Sequence, residues 1–385
     1  MYDAIVVGAG PIGSYTACQL AEVGFEVVLI EEDDEVGKDV ICTGVIGTEA
    51  FERFNLPQRA IISEIKSITF FSPSLLTINY TPSDTLAYVV DRDIFDKEIL
   101  QAAQRKGVDV HLGKQVRRIN TYKDFVEVES WDEGLRAAHR QRDSLETLRA
   151  KLVILATGVN YRLQRSLGLG VPPSFLKGAQ TEVEVKDLRQ TEIYVGRQIS
   201  PGSFAWAVPL GNGWARIGVL AESKGVSHLE EFLKMRFAGR IKQENPRIVQ
   251  KRIACGAAKR SVKDRILAVG EAAGQVKTTT GGGIFYGLLC SEIAVHILQK
   301  AFSKGDLSQR GLLQYERLWR SKLGRELKMG QWARKVLRKL TDKQIDKIFR
   351  FVREKVSVRE MLERKVKFDY HLNLISSGLK LLRPK

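Results

Sequence analysis

Apolar residues fall into three patterns along this chain. Short unbroken runs, Ala4-Ile5-Val6-Val7, Val27-Val28-Leu29-Ile30, Leu152-Val153-Ile154-Leu155 and Ile266-Leu267-Ala268-Val269, stop at turns of small residues or at an acid, and predict buried strands. A 3.6-residue recurrence at Ile94, Phe95, Ile99, Leu100 and Ala103 predicts a helix that ends at Gly107 and yields to a strand over 108–112. Leu288, Ile293 and Ile297 mark another helix. Alternation, as in Thr181-Glu182-Val183-Glu184-Val185 and over 214–219, recurs through 65–80 and 170–258 between Gly and Pro, and predicts an antiparallel sheet. The charged stretch 132–151 reads as a solvated excursion or hairpin, and from Leu307 onward the pattern is helical and basic. The expected fold is α/β: a discontinuous Rossmann-like domain (1–60, 85–165 and 259–302), an antiparallel sheet domain (61–84 and 166–258) and a basic α-helical C-terminal region (303–385).

The first strand runs into Gly8-Ala9-Gly10-Pro11-Ile12-Gly13, a G-x-G-x-x-G turn before a helix expected from near Ser14. Gly8 permits the tight turn, Gly10 the approach of a pyrophosphate, and Gly13 close helix–strand packing. The helix N-terminus supplies open amides and a positive dipole end. The second strand ends in Glu31, 18 positions after Gly13, where a carboxylate accepts from an adenosine ribose. A dinucleotide site is therefore expected at the N-terminus. Two later turns extend it, Ala156-Thr157-Gly158 and Gly270-Glu271. Gly281-Gly282-Gly283 opens a helix at Ile284, letting backbone approach a flat ring while the helix dipole favours negative charge there.

The fingerprint, the A-T-G strand and the late Gly-Glu strand together resemble FAD-binding oxidoreductases with a split cofactor domain, with Glu271 where Asp is usual. Val89-Val90-Asp91-Arg92-Asp93-Ile94-Phe95-Asp96 resembles the D-R-x-x-F-D segment of the hydroxylase-like branch, which implies that Arg92 sits beside the cofactor; its plainer reading is a helix-start residue paired with Asp91 or Asp96. Pro201 to Pro209 resembles the P-x-x-Y-x-W-x-F-P stretch of geranylgeranyl reductases, with Phe204 for Tyr and Val208 for Phe. Gly270 to Ile284 resembles their G-D-A-A-G-x-x-x-P-x-x-G-G-G-I, with Thr278 for Pro, and Ile41-Cys42-Thr43-Gly44 resembles their cysteine–glycine segment. The resemblance covers nearly the whole chain. It implies FAD as cofactor and reduction of isolated C=C bonds in isoprenoid chains of a lipid or lipid precursor. It adds Glu32, Thr43, Gly44 and Val116 to the cofactor set, Cys42 as a catalytic candidate, and Phe204, Trp206, Val208 and Pro209 as a substrate wall. Phe204, Trp206 and Val208 would equally serve as plain sheet core.

Composition narrows the alternatives. Among 385 residues the four cysteines (Cys18, Cys42, Cys255, Cys290) form no C-x-x-C and five histidines suggest no metal site. Free thiols imply a reducing, cytoplasmic setting, and no charged-then-apolar leader or run of ~18 apolar residues is visible. Residues 311–385 hold 21 Lys/Arg against 8 Asp/Glu, +13 of the overall +16. With Trp319, Trp332, Phe349, Phe351, Phe368 and Tyr370 interleaved, this region predicts peripheral association with an anionic membrane surface. Nucleic acid is the weaker partner, since no nucleic-acid fold is visible. A single dinucleotide fingerprint leaves the electron donor between NADPH and a small electron carrier, including a donor protein. The rival readings are a flavin monooxygenase or halogenase, of whose W-x-W-x-I-P stretch only Trp206 and Pro209 are present, and a non-catalytic flavoprotein docking through its tail.

Overall fold

Strand Tyr2–Val7 lies inside an eight-stranded sheet, between Val27–Ile30 and the second half of Leu145–Leu155, both parallel to it. This computed structural model describes residues 1–132, 145–355 and 367–382. Asp109–His111 and Ile266–Ala268 extend the run to five parallel strands. Along Tyr2–Val7, Ala4 and Val6 enter one hydrophobic core while Ile5 and Val7 enter another on the opposite face. Cover on both faces is why these strands read as unbroken apolar runs.

Helix Pro11–Glu22 starts three residues before the expected Ser14. Proline is suited to the first helical position, where its missing N–H costs nothing. In helix Arg92–Arg105, Asp91 caps the first turn, while Phe95, Ile99, Leu100 and Ala103 are buried. Ile94, expected on that buried face, is 40% exposed. Adjacent helical residues point about 100° apart, so Ile94 and Phe95 cannot share one narrow stripe.

A seven-stranded sheet carries Phe204–Gly211 and Trp214–Ala221 in its middle, flanked by Ser174–Glu184, Val249–Cys255, Thr191–Tyr194, Ile68–Phe71 and Thr77–Tyr80. It is antiparallel except where Ile68–Phe71 runs parallel to Thr191–Tyr194. Helix Gly225–Phe237 covers one face through Leu229, Phe232 and Phe237. Strand Ile61–Ile65 does not join this sheet; it pairs with Ala87–Val90, which also pairs with Val45–Gly47 in a separate three-stranded sheet. Val126–Asp132 and Leu145–Leu155 pair antiparallel; residues 133–144 of the charged stretch lie outside the described residues.

The C-terminal region is more tightly integrated than its charge suggests. Helix Gln309–Lys339 inserts Leu312, Tyr315, Trp319, Leu323 and Leu327 into the core that also holds Ala4 and Val6. Tyr315 donates to the Ala268 carbonyl (2.9 Å), and Trp319 Nε1 donates to Ser261 Oγ (2.9 Å). Of the six aromatics expected at a lipid surface, Trp319 and Phe349 are buried and Phe368 and Tyr370 are half-buried; only Trp332 (43%) and Phe351 (37%) are exposed. Helix Asp342–Glu354 opens on a capping box, Thr341 with Gln344, and Asp346 accepts from Ser72 Oγ and the Ser74 amide. No helix among the described residues is long and apolar enough to cross a membrane.

Replacing Trp319 with Ala should therefore cost about 3–5 kcal/mol in denaturant unfolding, because a fully buried ring and its hydrogen bond are lost. A loss below about 1 kcal/mol would show that this helix contributes little to the core.

Candidate active site

The parallel strands lie side by side, and Tyr2–Val7 sits between its sequence neighbour Val27–Ile30 and the much later Leu145–Leu155, the point in an open α/β sheet where a ligand crevice forms. Gly8 has φ +104°, and a Cβ there would lie 2.6 Å from the Ala156 carbonyl oxygen. A Cβ on Gly13 would lie 1.8 Å from the Gly8 carbonyl oxygen. These glycines are fixed by packing. Gly10 is different: its Cβ would meet nothing within 4 Å, leaving an open cradle before the Pro11–Glu22 helix. Ile12 wedges against Gly270 and Gly287, at 3.0 and 2.5 Å from their would-be Cβ atoms, and so ties the first turn to the late one.

Glu31 accepts from the Ala9 amide (2.5 Å) and the Asp33 amide (3.1 Å). Burial pushes its carboxyl pKa up, opposed by those two donors. Glu32 accepts from Gln115 Nε2 (3.0 Å), and neighbouring Val116 packs its side chain into the core. Thr157 Oγ1 is engaged by its own turn, donating to the Asn160 carbonyl and accepting from Gln164. Gly158, at φ +54°, faces open space. Glu271 accepts from the Ala254 amide (2.9 Å) and lies 3.9 Å from Lys251 Nζ. Burial raises its pKa, opposed by Lys251 and that amide. The late acid thus leans on strand Val249–Cys255.

The turn at Gly281-Gly282-Gly283 leads into helix Ile284–Ser303 and packs on the seven-stranded sheet, Gly281 meeting Ile253 and Leu220. Gly282 lies over the stem of Lys277, whose ammonium forms a buried ion pair with Asp369 (2.7 Å). Thr278, in the place of the family proline, donates to the Leu327 carbonyl (2.8 Å) and so anchors the turn to helix Gln309–Lys339.

Cys42, Thr43 and Gly44 form a loop stapled between sheets. Arg216 donates to the Thr43 carbonyl (2.7 Å) while paired with Glu182 (2.6 Å), and Gln180 Nε2 donates to the Cys42 carbonyl (3.1 Å). Gly44, at φ +75°, has no room for a Cβ beside the Val90 carbonyl. Burial disfavours the Cys42 thiolate, yet Arg92 and Lys251, with the Gly44 amide on Sγ (3.3 Å), hold the thiol below its usual range. Arg92 itself forms a bidentate pair with Asp96 (2.8 and 2.7 Å), so its plainer reading is realised, and the same guanidinium also reaches Cys42.

Phe204, Trp206 and Val208 share one face of their strand with Leu220 and Cys255, packing toward Val89 of the three-stranded sheet. Phe204 and Trp206 rings lie 5.8 Å apart, and the Pro209 carbonyl accepts from Ser63 Oγ (2.8 Å). Trp206 Nε1 is buried without a hydrogen-bond partner. Leu220 joins this apolar wall to the triglycine turn.

Sequence patterns did not flag Lys251, Arg216 or the Lys277–Asp369 pair. Arg216 left a trace, a charge inside an otherwise apolar strand, but its partners lie on other elements. The lowered Cys42 thiol was equally hidden, because both cations beside it come from distant segments.

The residues fit FAD: an open cradle at a helix N-terminus, a partly buried acid 18 positions after Gly13, and a second, glycine-lined turn meeting an apolar face whose indole N–H has no hydrogen-bond partner among the described residues. This defines an FAD-dependent oxidoreductase. Residues 6–63 match the NAD(P)-binding Rossmann-like domain family. A digeranylgeranylglycerophospholipid reductase of Methanocaldococcus jannaschii is 30% identical, covering 90% of this chain and 89% of that protein. A geranylgeranyl bacteriochlorophyll reductase-like protein from Thermoplasma acidophilum superposes with a TM-score of 0.85 at 23% identity, over 98% of this chain and 95% of that one. The p-nitrophenol 4-monooxygenase of Pseudomonas putida shares the fold at a TM-score of 0.72 and 17% identity, over 99% and 97% of the two chains. The chain belongs to the geranylgeranyl reductase family of FAD-dependent oxidoreductases.

Gly10→Val should leave folding nearly unchanged, because a Cβ there meets no protein atom within 4 Å, but should abolish retention of FAD by filling the cradle. Absorbance of the purified variant near the flavin bands checks this; a fully yellow variant would refute the placement. Lys251→Met removes a cation that favours the Cys42 thiolate, so the pH profile of Cys42 alkylation in flavin-free protein should move to higher pH. Mass spectrometry of the alkylated peptide reads it out, and an unmoved profile would show that Lys251 does not act on the thiol.

Proposed function

We propose that this enzyme reduces isolated C=C bonds in geranylgeranyl-type chains of a membrane lipid or lipid precursor. The observation that carries the reading is the apolar face of Phe204, Trp206, Val208 and Leu220, which meets the triglycine turn. Such a wall binds a hydrocarbon chain and excludes water from it. The cofactor set is Gly8, Ala9, Gly10, Pro11, Ile12, Gly13, Glu31 and Glu32 at the dinucleotide end. Thr43, Gly44, Arg92, Val116, Ala156, Thr157, Gly158, Gly270, Glu271, Gly281, Gly282, Gly283 and Ile284 complete it. FAD, when bound, supplies the hydride chemistry that saturating an unactivated double bond requires.

Cys42 is the protein's own proton-bearing group, in the loop before strand Val45–Gly47. Its thiol, weakened as an acid by burial and strengthened by Arg92 and Lys251, holds a proton that Sγ releases more readily than an ordinary thiol. Asp96 fixes Arg92, and Arg216 and Gln180 fix the loop, so Sγ keeps its position. Pro209 holds the far end of the wall strand through Ser63. The electron donor in this reading is NADPH or a small electron carrier. The basic C-terminal region brings the enzyme to an anionic membrane surface, with localisation in the cytoplasm at its periphery.

The test is anaerobic. Reduced holoprotein mixed with a polyprenyl lipid should be reoxidised, and mass spectrometry should find two added hydrogens per double bond. Cys42→Ser should keep its flavin but turn over more slowly or reduce fewer double bonds. A strict oxygen requirement, with hydroxylated or halogenated product, would favour the monooxygenase or halogenase reading, and no reoxidation by any polyprenyl lipid would favour a non-catalytic flavoprotein.

A further inference from the structure

Helix Gln309–Lys339 has two apolar stripes, and the hydrophobic core accounts for one of them. Leu323, Leu327 and Gly330 face the protein interior. Met329, Trp332 and Val336, at spacings of three and four, lie on a different side and form a wall with Leu340, Ile348 and Leu372. Together they line a groove of about 990 Å³, whose apolar surface far exceeds its polar surface. That volume is at the upper end of sites that hold a drug-sized ligand, roughly 300–1,000 Å³. Trp332, in this wall, is one of the most exposed large apolar residues of the protein.

The rim is one-signed. Arg325, Lys328 and Lys347 border the groove, and among the described residues that line it there is no Asp or Glu. All three cations are solvent-exposed, and neighbouring Lys335, Lys339 and Lys343 extend the positive field. An apolar trough whose charged lining residues, among those described, are all cations is complementary to an anionic amphiphile with its phosphate at the rim and its chain below.

The groove is also connected to the active site. Leu372 starts the last helix, Leu372–Leu382, and the residues just before it grip the triglycine turn. Asp369 pairs with Lys277, and His371 Nδ1 lies 2.7 Å from Thr279 Oγ1. Glu326, beside the groove on the long helix, accepts from the His371 and Leu372 amides. A chain seated in the groove therefore abuts the strap that is locked to the turn.

We propose that this groove seats one chain of an anionic membrane phospholipid, with its phosphate held by Arg325, Lys328 and Lys347, and thereby docks the enzyme on the bilayer beside the triglycine turn. This rests on the lipid-reductase reading for its biological purpose but makes a separate physical claim.

The probe is a vesicle of phosphatidylcholine and phosphatidylglycerol, with and without bromine on the acyl chains, mixed with the FAD-loaded full chain. Bromine quenches only indoles that enter the hydrocarbon, so tryptophan emission should fall with brominated vesicles, and Trp332→Phe should remove most of that fall. Val336→Asp should abolish the quenching while retaining flavin and anaerobic turnover of a polyprenyl substrate dispersed in detergent. Lys328→Glu with Lys347→Glu should weaken vesicle binding at least about tenfold at low salt. Quenching that survives Trp332→Phe would overturn the groove as the seat. Vesicle binding without quenching would reduce the region to surface charge, and absence of vesicle binding alongside capture of an acidic protein would make the occupant a protein; either result overturns the proposal. Lipid seating with no reductase activity would refute the function and leave the groove intact, so the two failures are distinguishable.

Discussion

The rest of the molecule depends on a single close backbone approach. Gly8 and Gly13 bring the first helix against the first strand and the Ala156 turn at distances that admit no side chain. That packing aims the helix N-terminus into the crevice and leaves Gly10 bare beside it. Ile12, on the same turn, is then committed to the space between Gly270 and Gly287, so the early and late cofactor segments settle as one unit. A methyl group at Gly13 would disturb every one of these relations.

The late segment is supported from behind by the C-terminal helix. Gln275 accepts from the Gly270 amide and donates to Tyr315, which in turn donates to Ala268. Thr278 and Lys277 reach the same region through Leu327 and Asp369. Buried polar groups of this kind are costly unless every partner is present, so they hold the turn in one arrangement. The basic region therefore has two roles on one helix: one side packs into the core, and its exposed side carries most of the charge.

Between the sheets, the Cys42 loop is held by polar contacts from several elements. Arg216 and Gln180 satisfy the loop's carbonyls, and Arg92 is neutralised by Asp96 while still facing the thiol. The remaining wall is hydrocarbon and aromatic.

Much of this was legible in the chain itself. Unbroken apolar runs marked strands covered on both faces, glycine spacing marked the tight turn of the Rossmann-like domain, and 3.6-residue periodicity marked the helices, because each is a local property of backbone geometry. Local pattern also misled where neighbours decide: Ile94 is exposed, and Trp319 belongs to the core rather than to a surface. The tertiary structure alone decided which cations face Cys42, that strand Ile61–Ile65 leaves the large sheet, and that Asp369 locks Lys277. Each of these joins elements far apart in the chain, and their meeting is set by how whole faces pack, which no stretch of sequence records on its own.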